Sequence, residues 1–218
     1  MSWLLGLFLG SVALAGCGSA RPRSPEPAAR ADSQAQTEFL DGPPRRVRSR
    51  TLDFPIELVL PGGGGWQIAE GPTWLVADHR SSSSQLALRT WRAERLVRRA
   101  ECEAQARLAR PTIPTVHEDT VVDRHALPAP EDFDTELVVG IEPSAHGIEG
   151  YALVMGATVG RCYAAIFTTN VSGKDAEREV ALRLGLVVDR ILSHIRVRSV
   201  DERAPRRRLV VTPKASLE

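Results

Sequence analysis

Two apolar runs stand back to back in this chain, Tyr151 to Val159 and Cys162 to Thr169, with only Gly160-Arg161 between them. Each is apolar on both faces, as a central strand covered on both sides must be. Two intervening residues leave room for a tight turn, so the pair is expected to form an antiparallel hairpin. Strands gather around it. Leu137, Val139 and Ile141 form one face of a preceding strand, and a short strand is expected around Thr120 to Leu127. Upstream, Leu52, Phe54, Ile56, Leu58 and Leu60 alternate with Thr51, Asp53, Pro55 and Glu57, a half-buried pattern. Pro55 points to an edge position or to a place where no backbone NH is paired. Pro61 and the run Gly62 to Gly65 end this strand; no Lys-Ser/Thr follows the glycines, so the run reads as a turn and not a phosphate loop. Thr73 to His79 and Leu86 to Trp91 read as two further strands, joined through Arg80 and Ser81 to Ser84.

Two segments carry helical periodicity. Leu96, Ala100, Ala104 and Leu108 recur at every fourth position, with Val97 alongside, and predict a helix over 94–109 that buries this stripe and stops before Pro111. Ser172-Gly-Lys-Asp175 resembles a capping box. Beyond it Val180, Leu184, Val187, Val188, Ile191, Leu192 and Ile195 predict a second helix over 174–197, with Gly185 read as a close-packing position. The fold class expected is α+β: a mainly antiparallel sheet of about 6–7 strands packed against two helices. The order is three strands, a helix, about four strands and a long final helix. This order, with Phe54-Pro55 through Leu60-Pro61 to Trp66, resembles the PsbP-like family of small lipid-anchored or lumenal accessory domains. The resemblance implies the fold and carries no catalytic motif.

The ends of the chain differ in kind. Trp3 to Ala15 has no charged residue and is too short for a membrane span of about 20 residues, but it suits the core of a signal peptide. It runs into Leu14-Ala15-Gly16-Cys17, which resembles the lipobox of bacterial lipoproteins. That resemblance implies a signal peptide over 1–16, cleavage before Cys17, and acylation of the Cys17 thiol and then its amine. Two or three chains anchor firmly, since each buried CH₂ contributes about 0.8 kcal/mol. Met1-Ser2-Trp3 lacks the Lys or Arg usual in the family. Gly18 stands where an Asp would signal inner-membrane retention, which points to the outer membrane, facing the periplasm.

Residues 17–50 are rich in Pro, Ala, Arg, Ser and Gln and read as a disordered linker. Seven Arg against four acids there would be weakly attracted to anionic lipid or wall polymer, though a soluble tether is the plainer reading. The folded domain is placed at 51–199 and a basic flexible tail at 200–218. Over all 218 residues, 28 basic and 27 acidic side chains leave a net charge of +1. A global basic field for nucleic acid is therefore absent.

With Cys17 assigned to lipid, Cys102 and Cys162 remain as an even pair, and an exported chain is expected to join them. The competing reading, a cysteine nucleophile near Arg95, Arg98 and Arg99, has no supporting spacing. His117, Asp119, Asp123 and His125 share parity and would line one face of an extended strand, a candidate metal site, although no zinc motif is present. A solvated polar strand face is the alternative. No G-x-S-x-G elbow marks a serine hydrolase, and Asn170-Val171-Ser172 is discounted as a glycosylation acceptor. The sequence therefore leads to a non-enzymatic, lipid-anchored envelope lipoprotein without a cofactor, serving as a protein-binding or assembly module. Its recognition surface would be the sheet face or the loops at Pro128–Pro130 and Ser144–Gly147. The second expectation is a small-ligand or metal-binding lipoprotein using the His117–His125 strand; the third, a hydrolase, needs a deep polar cleft.

Overall fold

A computed structural model describes residues 42–62, 64–93, 96–128 and 130–198. The leader, Cys17, most of the expected linker and the basic tail lie outside the described residues.

The architecture is α+β. Among the described residues ten strands run as β1 (Arg45–Arg48), β2 (Ile56–Leu60), β3 (Trp66–Glu70), β4 (Leu75–His79), β5 (Ser84–Arg92), β6 (Val121–His125), β7 (Asp134–Ser144), β8 (Gly147–Thr158), β9 (Arg161–Val171) and β10 (Arg196–Val197). Helix α1 (Arg99–Ala109) lies between β5 and β6, and α2 (Ala176–Arg190) follows β9. A seven-stranded sheet has the order β3-β4-β5-β9-β8-β7-β6 and a three-stranded sheet the order β1-β2-β10. Every pairing is antiparallel. The expected hairpin is β8–β9, at the centre of the large sheet, and it turns at Gly160 with φ +66°.

The chain leaves the sheet after β5, makes α1, and re-enters at the far edge as β6. It then meanders back through β7, β8 and β9 to pair with β5. The two helices cover opposite faces of the central strands. Helix α2 packs on β7, β8 and β9, where it shares an apolar cluster with the small sheet: Leu58, Leu60, Leu86, Phe167, Val180 and Leu184 are all buried there. Helix α1 packs on β8 and β9 from the other side, over Leu153, Met155, Ala164 and Ile166. Both runs of the hairpin had to be apolar throughout because each face has its own cover.

The structure corrects several boundaries. The first described strand, β1, lies inside the segment expected to be linker. Val47 alone supplies apolar content there, so pairing with β2 creates the strand: the Ser49 amide donates to the Ile56 carbonyl (2.9 Å) and Ser49 Oγ accepts the Ile56 amide (2.7 Å). Leu52 and Phe54 are buried but precede the strand. Helix α1 starts at Arg99 and not at 94, because Arg98 is extended (φ −94°, ψ 158°) and Glu101 reaches back to its amide at 3.3 Å. Helix α2 begins after Asp175, which makes no side-chain cap, so Ser172 is not the N-cap. It ends at Arg190, and a 3₁₀ turn (Leu192–His194) follows. Unwinding there lets Ile191, Leu192 and Ile195 all enter the core, each at most 1% exposed, before β10 joins β2.

Candidate functional site

Cys102 and Cys162 are placed as a disulfide pair with their Cα atoms 5.5 Å apart. Cys102 lies at the end of the first turn of α1 and Cys162 near the start of β9. Both are fully buried. The crosslink side determines which face of α1 meets the sheet: Cys102 and Ala106, one helical turn apart, are its two fully buried residues. Neighbouring contacts hold the same orientation. Trp91 Nε1 donates to Gln105 Oε1 at 2.7 Å, and Arg107 donates to the carbonyls of Ile113 and Pro114 at 3.3 and 2.9 Å.

The consequence reverses the expectation drawn from periodicity. Ala100, Ala104 and Leu108, which were expected to be buried, face solvent. Leu108 is 83% exposed, and Leu96, just before the helix, is 75% exposed. An outward stripe of two alanines and a leucine, with a second leucine upstream, is thus held open on a helix whose inner face is committed by sulfur.

Beside α1 the sheet carries a stack that the sequence did not reveal. The Arg89 guanidinium lies 4.5 Å from the Trp91 ring and 5.7 Å from Trp74, and Arg110 lies 5.6 Å from Trp74. Burial lowers the pKa of both arginines, partly offset by Asp53 for Arg89 and by Asp78 for Arg110. Arg89 and Trp91 both lie on β5, Trp74 stands just before β4 and Arg110 just after α1, so the stack joins positions no local pattern connects.

The metal reading is corrected. His117 and Asp119 lie in the loop and turn before β6, so the strand does not extend far enough to line up all four residues. Only Asp123 and His125 share it, with His125 Nδ1 3.1 Å from Asp123 Oδ2, and the register slips between Val121 and Asp123. Among the described residues no group of three or more His, Cys, Asp or Glu could hold a metal ion.

The serine run holds a buried polar network instead of a plain turn. His79 Nδ1 is 2.7 Å from Ser82 Oγ, which donates to Ser84 Oγ at 2.9 Å; Ser84 Oγ donates to Thr169 Oγ1 at 2.8 Å. Arg183 of α2 donates to Thr169 Oγ1 at 3.1 Å, to the Ser82 carbonyl and to Glu179. His79, Ser82 and Thr169 are each no more than 2% exposed. A substrate cannot reach the His–Ser pair as it stands; the network bolts α2 to the β4–β5 turn. Gly65, whose amide donates to the Gly62 carbonyl at 3.1 Å, lies beside it, and the His79 ring fills the space a side chain there would need.

Asn170 Nδ2 donates to Ser144 Oγ at 2.8 Å, tying the β7–β8 loop to β9. Ala145 and His146 at its tip are exposed, as is Pro128, while Pro130 is buried. No described helix is long and apolar enough to cross a membrane.

No family model and no curated protein matches the chain. It is similar to a crystal structure from Bacteroides thetaiotaomicron VPI-5482 determined at 1.50 Å, with TM-score 0.37 and 9% identity, over 67% of this chain and 46% of that one. The chain therefore spans less than half the length of that structure.

Proposed function

We propose that the protein is a lipid-anchored envelope lipoprotein that acts without catalysis, as a docking module for another envelope protein. Cys17 carries the lipid, the domain faces the periplasm, and the outer membrane is the membrane used. In that oxidising compartment the Cys102–Cys162 bond forms. The resemblance to PsbP-like accessory domains belongs to the same reading.

The observation that carries it is the outward stripe of α1. An amphipathic helix normally turns its apolar positions to the core. Here the buried side is set by Cys102, and Ala100, Ala104 and Leu108 are left for something else. Alanines allow a partner backbone to approach closely, and the exposed Leu108 adds apolar area that a partner can bury. The partner this surface fits is a protein with a complementary apolar groove or helix.

A photo-crosslinking residue placed at Leu108 in intact cells tests the reading. The same residue at Gln67, exposed on β3, serves as control. One discrete adduct from position 108, abolished by Ala104→Glu and absent from position 67, is expected. Equal labelling from both positions contradicts a docking role for α1.

A further inference from the structure

The outer face of the three-stranded sheet is a second, chemically different surface. Ile56, Leu58 and Leu60 turn inward, each at most 1% exposed, so Glu57 and Val59 turn outward. The register then decides what surrounds them. Arg46 lies opposite Val59, Arg48 opposite Glu57, and Arg196 opposite Glu57 from the other neighbouring strand. Arg198 follows on the same side, its amide bonded to the Pro55 carbonyl at 2.9 Å. Four guanidinium groups thus stand around one carboxylate on three adjacent strands, a width of roughly 10 Å. Glu57 pairs with Arg46 at 3.4 Å and Arg198 at 2.9 Å, and three positive charges are left over. The Arg46 side chain is 76% exposed.

The patch continues round the edge of β1 that pairs with no strand among the described residues. There Arg45, Arg46, Arg48 and Arg50 line an open cleft of about 650 Å³ whose far wall is Ile68 of β3. Arg45 Nη1 donates to the Trp66 carbonyl at 3.4 Å. The whole chain is nearly neutral, so this concentration of charge is local and not a compositional bias.

Where the chain enters the domain identifies the occupant. Cys17 lies twenty-eight positions before Arg45, and that length spans at most roughly 100 Å in any conformation. The strand that receives the anchor is the strand that carries the basic edge. We infer that this face docks on the anionic phospholipid headgroups of the membrane that holds the protein, with the arginines on phosphate oxygens and Val59, 40% exposed, against the interface. Choosing a membrane as the anionic surface rests on the proposed anchor at Cys17; the charge geometry does not. Docking at this face leaves α1, on the opposite side of the large sheet, free for a protein partner.

The full chain carrying Cys17→Ser, which cannot be acylated, separates the two ideas. Its partition onto phosphatidylcholine vesicles containing phosphatidylglycerol is compared with that of the same chain carrying R46Q, R48Q, R196Q and R198Q. Each arginine near such a surface is worth a few-fold, so the unaltered face should bind on the order of 100-fold more strongly. The difference should disappear at high salt and on vesicles of phosphatidylcholine alone. The four-lysine variant should keep the binding, and Glu57→Gln should strengthen it several-fold, which guards against loss of folding as the cause. Equal partition of the unaltered and glutamine chains overturns the inference. So does equal or tighter binding to soluble polyglutamate, which would assign the face to an acidic polypeptide. Neither result depends on whether Cys17 is lipidated, which radiolabelled palmitate incorporation reads separately.

Discussion

Gly150 and Gly185 look alike in the sequence and do opposite things. A Cβ at Gly150 would lie 2.2 Å from Val180 Cγ1 and 3.0 Å from Leu184 Cδ1, so its absence lets α2 settle on β8. Around Gly185 a Cβ would meet nothing within 4 Å; its expected role in close packing is not what the fold uses. Gly185→Ala is therefore expected to raise stability by about 1 kcal/mol. Gly150→Ala should lower it by roughly 1–3 kcal/mol through overpacking, and chemical denaturation of the two variants checks both signs. Glu149 makes a pH-dependent contribution at the same scale. It sits opposite Glu142 across β7 and β8, and burial first, then the Glu142 charge, raises its pKa above the usual value. The folded state then holds a proton that the unfolded chain has released, so stability falls as pH rises through that interval and stays lowered above it. Glu149→Gln should stabilise the protein at neutral pH by a few tenths of a kcal/mol, the low end for a half-exposed like-charge pair. The gain should vanish below the ordinary glutamate range, as melts at the two pH values would read.

At the scale of elements, the two helices are fixed by different means. Helix α1 has only Cys102 and Ala106 fully buried, so the crosslink to Cys162 replaces the apolar stripe it does not use. A closed loop of 60 residues is worth about 4 kcal/mol in the chain-entropy model. Cys102→Ala with Cys162→Ala should therefore cost about that much, and α1 should become the first segment to exchange its amides. Helix α2 is fixed by its apolar face and by Arg183. Arg183→Met leaves Glu179 and the Ser82 carbonyl short of a donor and should cost about 3 kcal/mol. Adding Glu179→Gln should recover part of that loss in a double-mutant cycle. The stripe of α2 was legible in the sequence because Val180, Leu184 and Val187 obey periodicity and are buried. That of α1 misled because Leu96, Ala100, Ala104 and Leu108 obey the same periodicity and are exposed; a crosslink between distant residues outweighs a local pattern. The His117–His125 constellation failed for a related reason, since parity on paper needs a strand, and β6 begins only at Val121.

Across the described residues the molecule is a seven-stranded sheet with α2 and the three-stranded sheet over one face and the mid-chain α1 over the other. The β8–β9 hairpin, the α+β class and the even cysteine pair could be read in advance, since each rests on strong local signals or on counting. The small sheet could not. Its first strand has one buried apolar residue, Val47, and its last has two residues in all, so both exist only because β2 lies between them. Those same short strands bring Arg46, Arg48, Arg196 and Arg198 onto one face from distant parts of the chain. That geometry puts the basic face on one side and the open stripe of α1 on the other, and the proposed arrangement adds the lipid at Cys17 to the basic side. Its central claim is attachment through Cys17, and fractionation of cells producing the full chain or Cys17→Ala measures it most directly. The account predicts that the unaltered protein stays with membranes through a high-salt wash while Cys17→Ala is released by it. Continued salt-resistant membrane attachment of Cys17→Ala would contradict the account.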